Sequence, residues 1–167
     1  MPSCDICTII KSQELKLFED PYTVVFLHPQ GSAPGHVLIV PRIHYPIMEQ
    51  IPDDDLRQIF RVTRIISGAL EKGIGCKDIN LVIANGTAAG QEFPHFSIQL
   101  IPRGSGDGVS IGWDPMTIAK NDMDSIEKKL QDMCKQFTVL QKQAEHSPQE
   151  EVVSRDDQQI RRMTRIP

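Results

Sequence analysis

The chain has 167 residues, of which 40% are apolar and 24% are charged, and its formal net charge at pH 7 is -4. This length suits one ordinary domain with a tail, and the mild acidity gives no general electrostatic reason to bind nucleic acid or an anionic membrane. No stretch approaches the roughly 20 apolar residues of a membrane span, and MPSCDICTII lacks the basic start of a signal peptide. We therefore expect a soluble, cytoplasmic protein that does not cross a membrane.

The first predicted elements form a hairpin with a long loop. Residues 22–28 (YTVVFLH) and 36–40 (HVLIV) are β-branched and apolar, and PQGSAPG between them supplies proline and glycine for a reversal. A helix follows in PDDDLRQIFRVTRIISGALEKGIG, with acids in its first turn and apolar residues near helical spacing. Strands at 79–84 and 95–102 flank the glycine-rich NGTAAGQEFP. This order predicts an α+β domain, residues 1–113, with an antiparallel sheet and a helix between strand pairs.

The C-terminal part divides into a helical segment, residues 114–145, and a flexible tail, residues 146–167. Apolar side chains alternate spacings of three and four in the segment, at Met123, Ile126, Leu130, Met133, Phe137 and Leu140. This narrow seam predicts packing either on the domain's own sheet or on another helix, such as that of a dimer partner. The tail is polar and aromatic-free, and its final IRRMTRIP is either a docking peptide or simply disordered.

Two of the four cysteines, Cys4 and Cys7, form a C-x-x-C near the N-terminus. The remainder of the composition is not that of a small secreted scaffold, so this spacing indicates a metal before a disulfide. Cys76 and Cys134 have no such spacing and are expected to pack as small apolar residues.

The stretch HFSIQLIPR, residues 95–103, alternates polar and apolar residues. Successive side chains of a strand point to opposite faces, so Phe96, Ile98 and Leu100 would enter a core. His95, Ser97 and Gln99 would then lie in a row facing a cleft.

Four motifs, CDIC, PGHVLIVPRIHY, NGTAAGQ and HFSIQLIPR, resemble in order and spacing the histidine triad (HIT) family of nucleotide-binding proteins, from about residue 4 to about residue 113. The resemblance implies a small α+β domain, usually a homodimer whose sheets join, with a nucleotide in a cleft on each subunit. In the family the middle histidine of the triad attacks the α-phosphate of the nucleotide. Imidazole suits this attack because it offers a neutral lone pair near pH 7.

This chain departs from the family at the triad itself, which reads His95, Ser97, Gln99. Ser97 replaces the nucleophile, and Ala84 stands where an Asn or Gln amide commonly holds the phosphate. The resemblance therefore implies a nucleotide-binding protein that has lost nucleotidyl-histidine catalysis. One alternative is a divergent hydrolase or transferase acting on a phosphoramidate or dinucleoside polyphosphate, with Ser97 activated by His36 or His95. Another is a protein-interaction scaffold with an empty cleft.

Cys4, Cys7, His44 and His95 match the positions at which many microbial family members hold a structural zinc. Two thiolates and two imidazoles are a standard closed tetrahedral set for Zn²⁺, which leaves no position for a catalytic water. The resemblance thus implies a zinc that fastens the N-terminal arm. The alternative is a reduced cysteine pair without metal, with His44 on the surface and His95 in a simple hydrogen bond.

The resemblance also implies contacts to a purine nucleotide or a nucleotide-containing small molecule. Apolar residues would sandwich the base, His28 would meet the ribose, and the turn before the triad would reach a phosphate; the residues concerned are Ile6, Ile9, Phe26, His28, Asn85, Gly90 and Gln91. For the apolar residues the alternative is core packing, and for the turn it is a backbone that needs glycine. A homodimer is implied, and a protein partner could use the C-terminal helix and tail.

Overall fold

The computed structural model describes residues 4–146, with side chains for residues 4–137. It contains two compact units, which divide between Gly112 and Trp113. The first unit contains these elements: α1 (Asp5–Lys11), β1 (Lys16–Glu19), β2 (Thr23–Leu27), β3 (Val37–Pro41), α2 (Asp53–Ile74), β4 (Asp78–Val82) and β5 (Ile98–Arg103). Single turns of 3-10 helix lie at Met48–Gln50 and Thr87–Ala89.

The five strands form one antiparallel sheet in the order β1-β2-β3-β5-β4, which confirms the predicted α+β fold with a helix between strand pairs. Two elements were not predicted. The helix α1 has only seven residues and no side-chain cap, so its sequence carries no clear helix signal. The strand β1 is entered through Leu15 at φ 58, a left-handed conformation that no glycine or asparagine signals. β5 also begins later than predicted, at Ile98 instead of residue 95.

One face of the sheet packs on α2. Three aspartates begin this helix, where the helix dipole favours negative charge, and Gly75 ends it at φ 72 with its N–H donated to the Glu71 carbonyl. Phe96, Ile98 and Leu100 enter this core, as their alternation predicts. The buried cluster also contains Val25, Val37, Ile39, Ile51, Ile59, Val62 and Leu70.

The opposite face of the sheet packs on α1. Ile6 of this helix is fully buried against alternate residues of β2 and β3, and the cluster consists of Cys4, Ile6, Val24, Phe26, Leu38 and Val40. Because side chains two residues apart share a face of a strand, His28 follows Phe26, and His36 precedes Leu38, on this side. Gln99 is also here, since it pairs with Leu38 across β3 and β5. The α1 face therefore carries the polar residues of the predicted site.

The second unit contains the helix α3 (Lys120–His146), which confirms a C-terminal helix. Its apolar seam from Met123 to Phe137 has side chains that are 47–60% exposed. The predicted seam residue Leu140 lies outside the described side chains, and residues 147–167 of the predicted tail lie outside the described residues. Among the helices that the structure describes, none combines the length and the hydropathy that a membrane crossing needs.

Candidate functional site

Two thiols and two imidazoles from three parts of the chain meet beside α1. Cys7 Sγ lies 3.3 Å from His44 Nδ1 and 3.6 Å from His95 Nδ1, and Cys4 Sγ lies 3.7 Å from His95 Nδ1. All four donor atoms are within 4.8 Å of one another. Zinc bonds of 2.0–2.3 Å in a tetrahedron place neighbouring donors about 3.3–3.8 Å apart. The cluster therefore has the dimensions and the donor set of a four-coordinate metal site.

The ionisation and orientation of His95 also suit a metal ligand. Burial lowers the pKa of His95 to about 4, so the ring is neutral near pH 7. Its Nε2 lies 3.0 Å from the Pro41 carbonyl and donates to it, which leaves the Nδ1 lone pair directed at the two sulfurs. Burial and the adjacent Cys4 raise the pKa of the Cys7 thiol, so the two thiolates need a cation between them. These residues fit a metal ion as predicted.

The loop between β4 and β5 is folded around the side chain of Gln91. Its Oε1 accepts the Gly86 N–H at 2.7 Å, and its Nε2 donates to the carbonyls of Pro46 and Phe93, each at 2.7 Å. Gly86 and Gly90 have φ of 96 and 78, a region that side chains with a Cβ rarely occupy. The positive φ angles of this turn therefore explain the two glycines, and both N–H donors of the Gln91 amide are used by backbone carbonyls.

Asn85 connects the same loop to the segment after His44. Its Oδ1 accepts the Met48 N–H at 2.8 Å, and its Nδ2 donates to both carboxylate oxygens of Glu49 at 2.9 Å. The predicted nucleotide-binding residues Asn85 and Gln91 thus shape the loop through their side chains.

The polar residues at the ends of β2, β3 and β5 lie together on the α1 face, at the position of the predicted cleft. The rings of His28 and His36 stack with centroids 4.5 Å apart and an interplanar angle of 25°. Ser97 is 8% exposed, and within the part of the chain that the structure describes its hydroxyl makes no hydrogen bond. The structure therefore brings His28, His36 and Gln99 together, and it leaves Ser97 without a base in contact.

His36 is a hydrogen-bond donor in this cleft. Its Nδ1 accepts the Ser32 N–H at 3.1 Å, so the proton of the neutral ring is on Nε2. Burial lowers the pKa of His36, the neighbouring His28 adds to this effect, and Gln99 and Glu92 oppose it. Gln99 lies close enough to favour the protonated ring, yet it makes no well-aligned bond to Nε2, which is buried without a partner among the described residues. His36 thus carries a buried N–H that has no partner among the described residues.

A cavity of about 330 Å³ opens beside the cleft. Ile9, Pro29 and Phe93 supply apolar walls, and the polar lining residues are Asp5, His28, Gln30 and Glu92. Of the three residues predicted to sandwich a base, only Ile9 lines this cavity. Ile6 and Phe26 are fully buried in the core, as the packing alternative describes.

Sequence reasoning missed Glu92 and Phe93. Both residues line the cavity beside His28, and both line a second cavity of about 340 Å³ next to Gly86 and Pro46. Glu92 Oε2 lies 3.3 Å from His28 Nε2. The segment QEFP has no periodicity and reads as part of a turn, so only the closure of the loop against β2 reveals this pair.

Comparison with known proteins identifies the family of this chain. Residues 11–106 match the HIT domain family, which is more than half of the chain. The chain belongs to the HIT domain family. This membership confirms the resemblance seen in the motifs and the predicted fold class.

The HIT-domain relatives include proteins that act on nucleotides. An adenylylsulfatase from Arabidopsis thaliana is 37% identical over 102 residues, which are 60% of this chain and 52% of that protein. The chain therefore spans about half the length of that relative. An adenosine 5′-monophosphoramidase from Saccharomyces cerevisiae is 32% identical over 131 residues, which are 77% of this chain and 80% of that protein.

A HIT-domain structure with metal is also similar. The zinc-bound histidine triad family protein from Mycobacterium smegmatis has a TM-score of 0.60 and 26% identity, and the alignment covers 68% of this chain and 84% of that one.

Proposed function

We propose that this HIT-domain protein binds a purine nucleotide, or a small molecule containing one, and has lost nucleotidyl-histidine catalysis. The nucleoside occupies the cavity lined by Ile9, His28, Glu92 and Phe93. The phosphate lies towards His36, whose buried Nε2–H has no partner among the described residues. A small number of placed polar groups among apolar walls is the usual composition of such a pocket.

The observation that carries this proposal is the isolation of Ser97 at the position of the nucleophile. A serine hydroxyl needs a base within hydrogen-bond reach, and among the described residues Ser97 has none. Nε2 of His36 holds the ring proton, and His95 directs Nδ1 at the cysteines and Nε2 at the Pro41 carbonyl. Ala84 adds no donor for the phosphate.

Zinc at Cys4, Cys7, His44 and His95 has a structural role in this proposal. Four protein ligands close the coordination shell, so the ion supplies cross-linking and no bound nucleophile. It fixes α1, which carries Ile9 and Asp5 to the cavity wall.

Assembly forms the second part of the proposal. The protein is a cytoplasmic homodimer, and α3 provides the contact for its second copy or for a protein partner. The seam of Met123, Ile126, Leu130, Met133 and Phe137 alternates spacings of three and four, which is the spacing of a helix-pairing surface. Light scattering on the full chain and on an Ile126→Glu, Leu130→Glu variant tests this assembly, and dimers of both proteins at equal stability would contradict the role of α3.

Calorimetric titration tests nucleotide binding and catalysis together. AMP and a non-hydrolysable dinucleotide are titrated into purified protein whose zinc content is measured on the same sample. AMP phosphoramidate is then incubated with the protein, and product is assayed. We expect saturable binding, one zinc per chain and no product. Absence of binding by both nucleotides contradicts the proposal.

The activities named for the relatives favour one rival, a hydrolase or transferase that uses Ser97. It predicts product from a phosphoramidate or a dinucleoside polyphosphate, and loss of that product in Ser97→Ala at unchanged nucleotide affinity. Turnover that survives Ser97→Ala excludes Ser97 as the nucleophile.

A further inference from the structure

We propose that Glu92 is the acceptor for the sugar hydroxyls of the ligand, and that it makes the site selective for ribonucleotides over deoxynucleotides. This inference rests on the proposed nucleotide-binding function and names the sugar that the site requires. It follows from the hydrogen bonds of two side chains at the end of β2 and in the turn before β5.

His28 has no free lone pair with which to accept a hydrogen bond from a sugar hydroxyl. Its Nδ1 accepts the Gln30 N–H at 3.0 Å, so the proton of the neutral ring is on Nε2. That N–H donates to Glu92 Oε2 at 3.3 Å. The Nε2–H of the ring is therefore a donor, and the Nδ1 acceptor is already used. The side chain is 5% exposed and stacks on His36.

Glu92, unlike His28, can accept a further hydrogen bond. Its carboxylate accepts one bond from His28, and its second oxygen has no partner within the described residues. The side chain is 49% exposed and lines the cavity. His28 thus holds the carboxylate in place while an acceptor oxygen remains open to a ligand.

The charges of the cleft orient the ligand. Asp5 and Glu92 both line the cavity, so this end of the site is acidic and disfavours a phosphate. The Nε2–H of His36 is buried without a partner among the described residues, lies on the ring stacked against His28, and favours an anion. A nucleoside monophosphate satisfies both ends, with its hydroxyls donating to Glu92 and its phosphate accepting from His36.

Titrations with AMP and 2′,3′-dideoxy-AMP test this assignment. A hydrogen bond to a charged group is worth roughly 1.5–3 kcal/mol, so the wild type should prefer AMP by about tenfold or more. Glu92→Ala should remove this preference by weakening AMP, with little change for dideoxy-AMP. Glu14→Ala is the control, because it removes the same charge from an exposed position outside the cavity and should keep the full preference.

Three results overturn the inference. The first is a wild type that binds both ligands equally, and the second is a Glu92→Ala protein that keeps the AMP preference. If thermal melting shows that Glu92→Ala is unfolded, Glu92→Gln decides, because its neutral carbonyl should bind AMP more weakly while dideoxy-AMP binding is unchanged. The third is a wild type that binds neither ligand, which removes the proposed function and this inference with it.

Discussion

Removal of the metal should release α1 and weaken nucleotide binding. Ile6 is the one residue of α1 that is fully buried, and Cys7, Ile9 and Ile10 of this short helix are only partly buried. An isolated helix of this length is also unstable in water. The bonds of Cys4 and Cys7 to a shared ion are therefore expected to decide whether α1 stays docked.

Hydrogen exchange of a peptide covering residues 4–12 measures this release directly. Chelation should remove most of the protection of α1, leave the β3–β5 core protected, and lower AMP affinity about tenfold or more, because Ile9 and Asp5 leave the cavity wall. A Cys7→Ser variant should behave like the chelated protein and respond no further to chelator. Cys76→Ser is the matched control, since Cys76 packs against the α2-side core away from the metal ligands. Unchanged protection of α1 in protein shown by elemental analysis to be metal-free would refute this reasoning.

Three further predictions concern the loop, the cleft and the triad. Gln91→Leu should lower the free energy of unfolding by about 2–4 kcal/mol in urea titrations, because the Gly86 N–H and two carbonyls lose their partner; an unchanged midpoint would count against this role. Because the pKa of His36 is lowered in the folded protein, the unfolded chain binds more protons, and the free energy of unfolding should fall as pH drops below 6.5. His36→Asn should make that decline less steep. An equally steep decline in the variant would show that other groups cause it. Ser97→His should produce weak AMP phosphoramidate turnover that increases when Ala84→Asn is added, and no product from the double variant would show that the cleft has diverged further.

Local sequence patterns predict the parts of this fold that depend on periodicity. Alternation at Phe96, Ile98 and Leu100 predicts which face of β5 enters the core, and the structure confirms it although the strand begins only at Ile98. The acids at Asp53 and the glycine after the last turn mark the limits of α2. These signals act within a few residues, so they are visible in the chain alone.

The parts that were missed depend on contacts between distant residues. α1 is stabilised by burial of Ile6 under the sheet, and the adjacent Cys4 contacts His95, which is 91 residues away. The role of Glu92 depends on His28, which is 64 residues away. The side-chain amides of Asn85 and Gln91 bond to backbone groups of a third segment. No spacing pattern in the sequence predicts these contacts, because the partners come together only in the folded chain.

The hydrogen bonds also distinguish the residues that stabilise the fold from the residue at the position of the nucleophile. His95 is bound to the fold through the Pro41 carbonyl and the cysteines, and Gln91 and Asn85 hold the loop together. Ser97 makes no hydrogen bond among the described residues, so a change of side chain at this position leaves none of these contacts broken. A serine at this position is therefore compatible with an intact Cys–His cluster, turn and cavity. In this chain, we expect binding and catalysis to be separable for that reason.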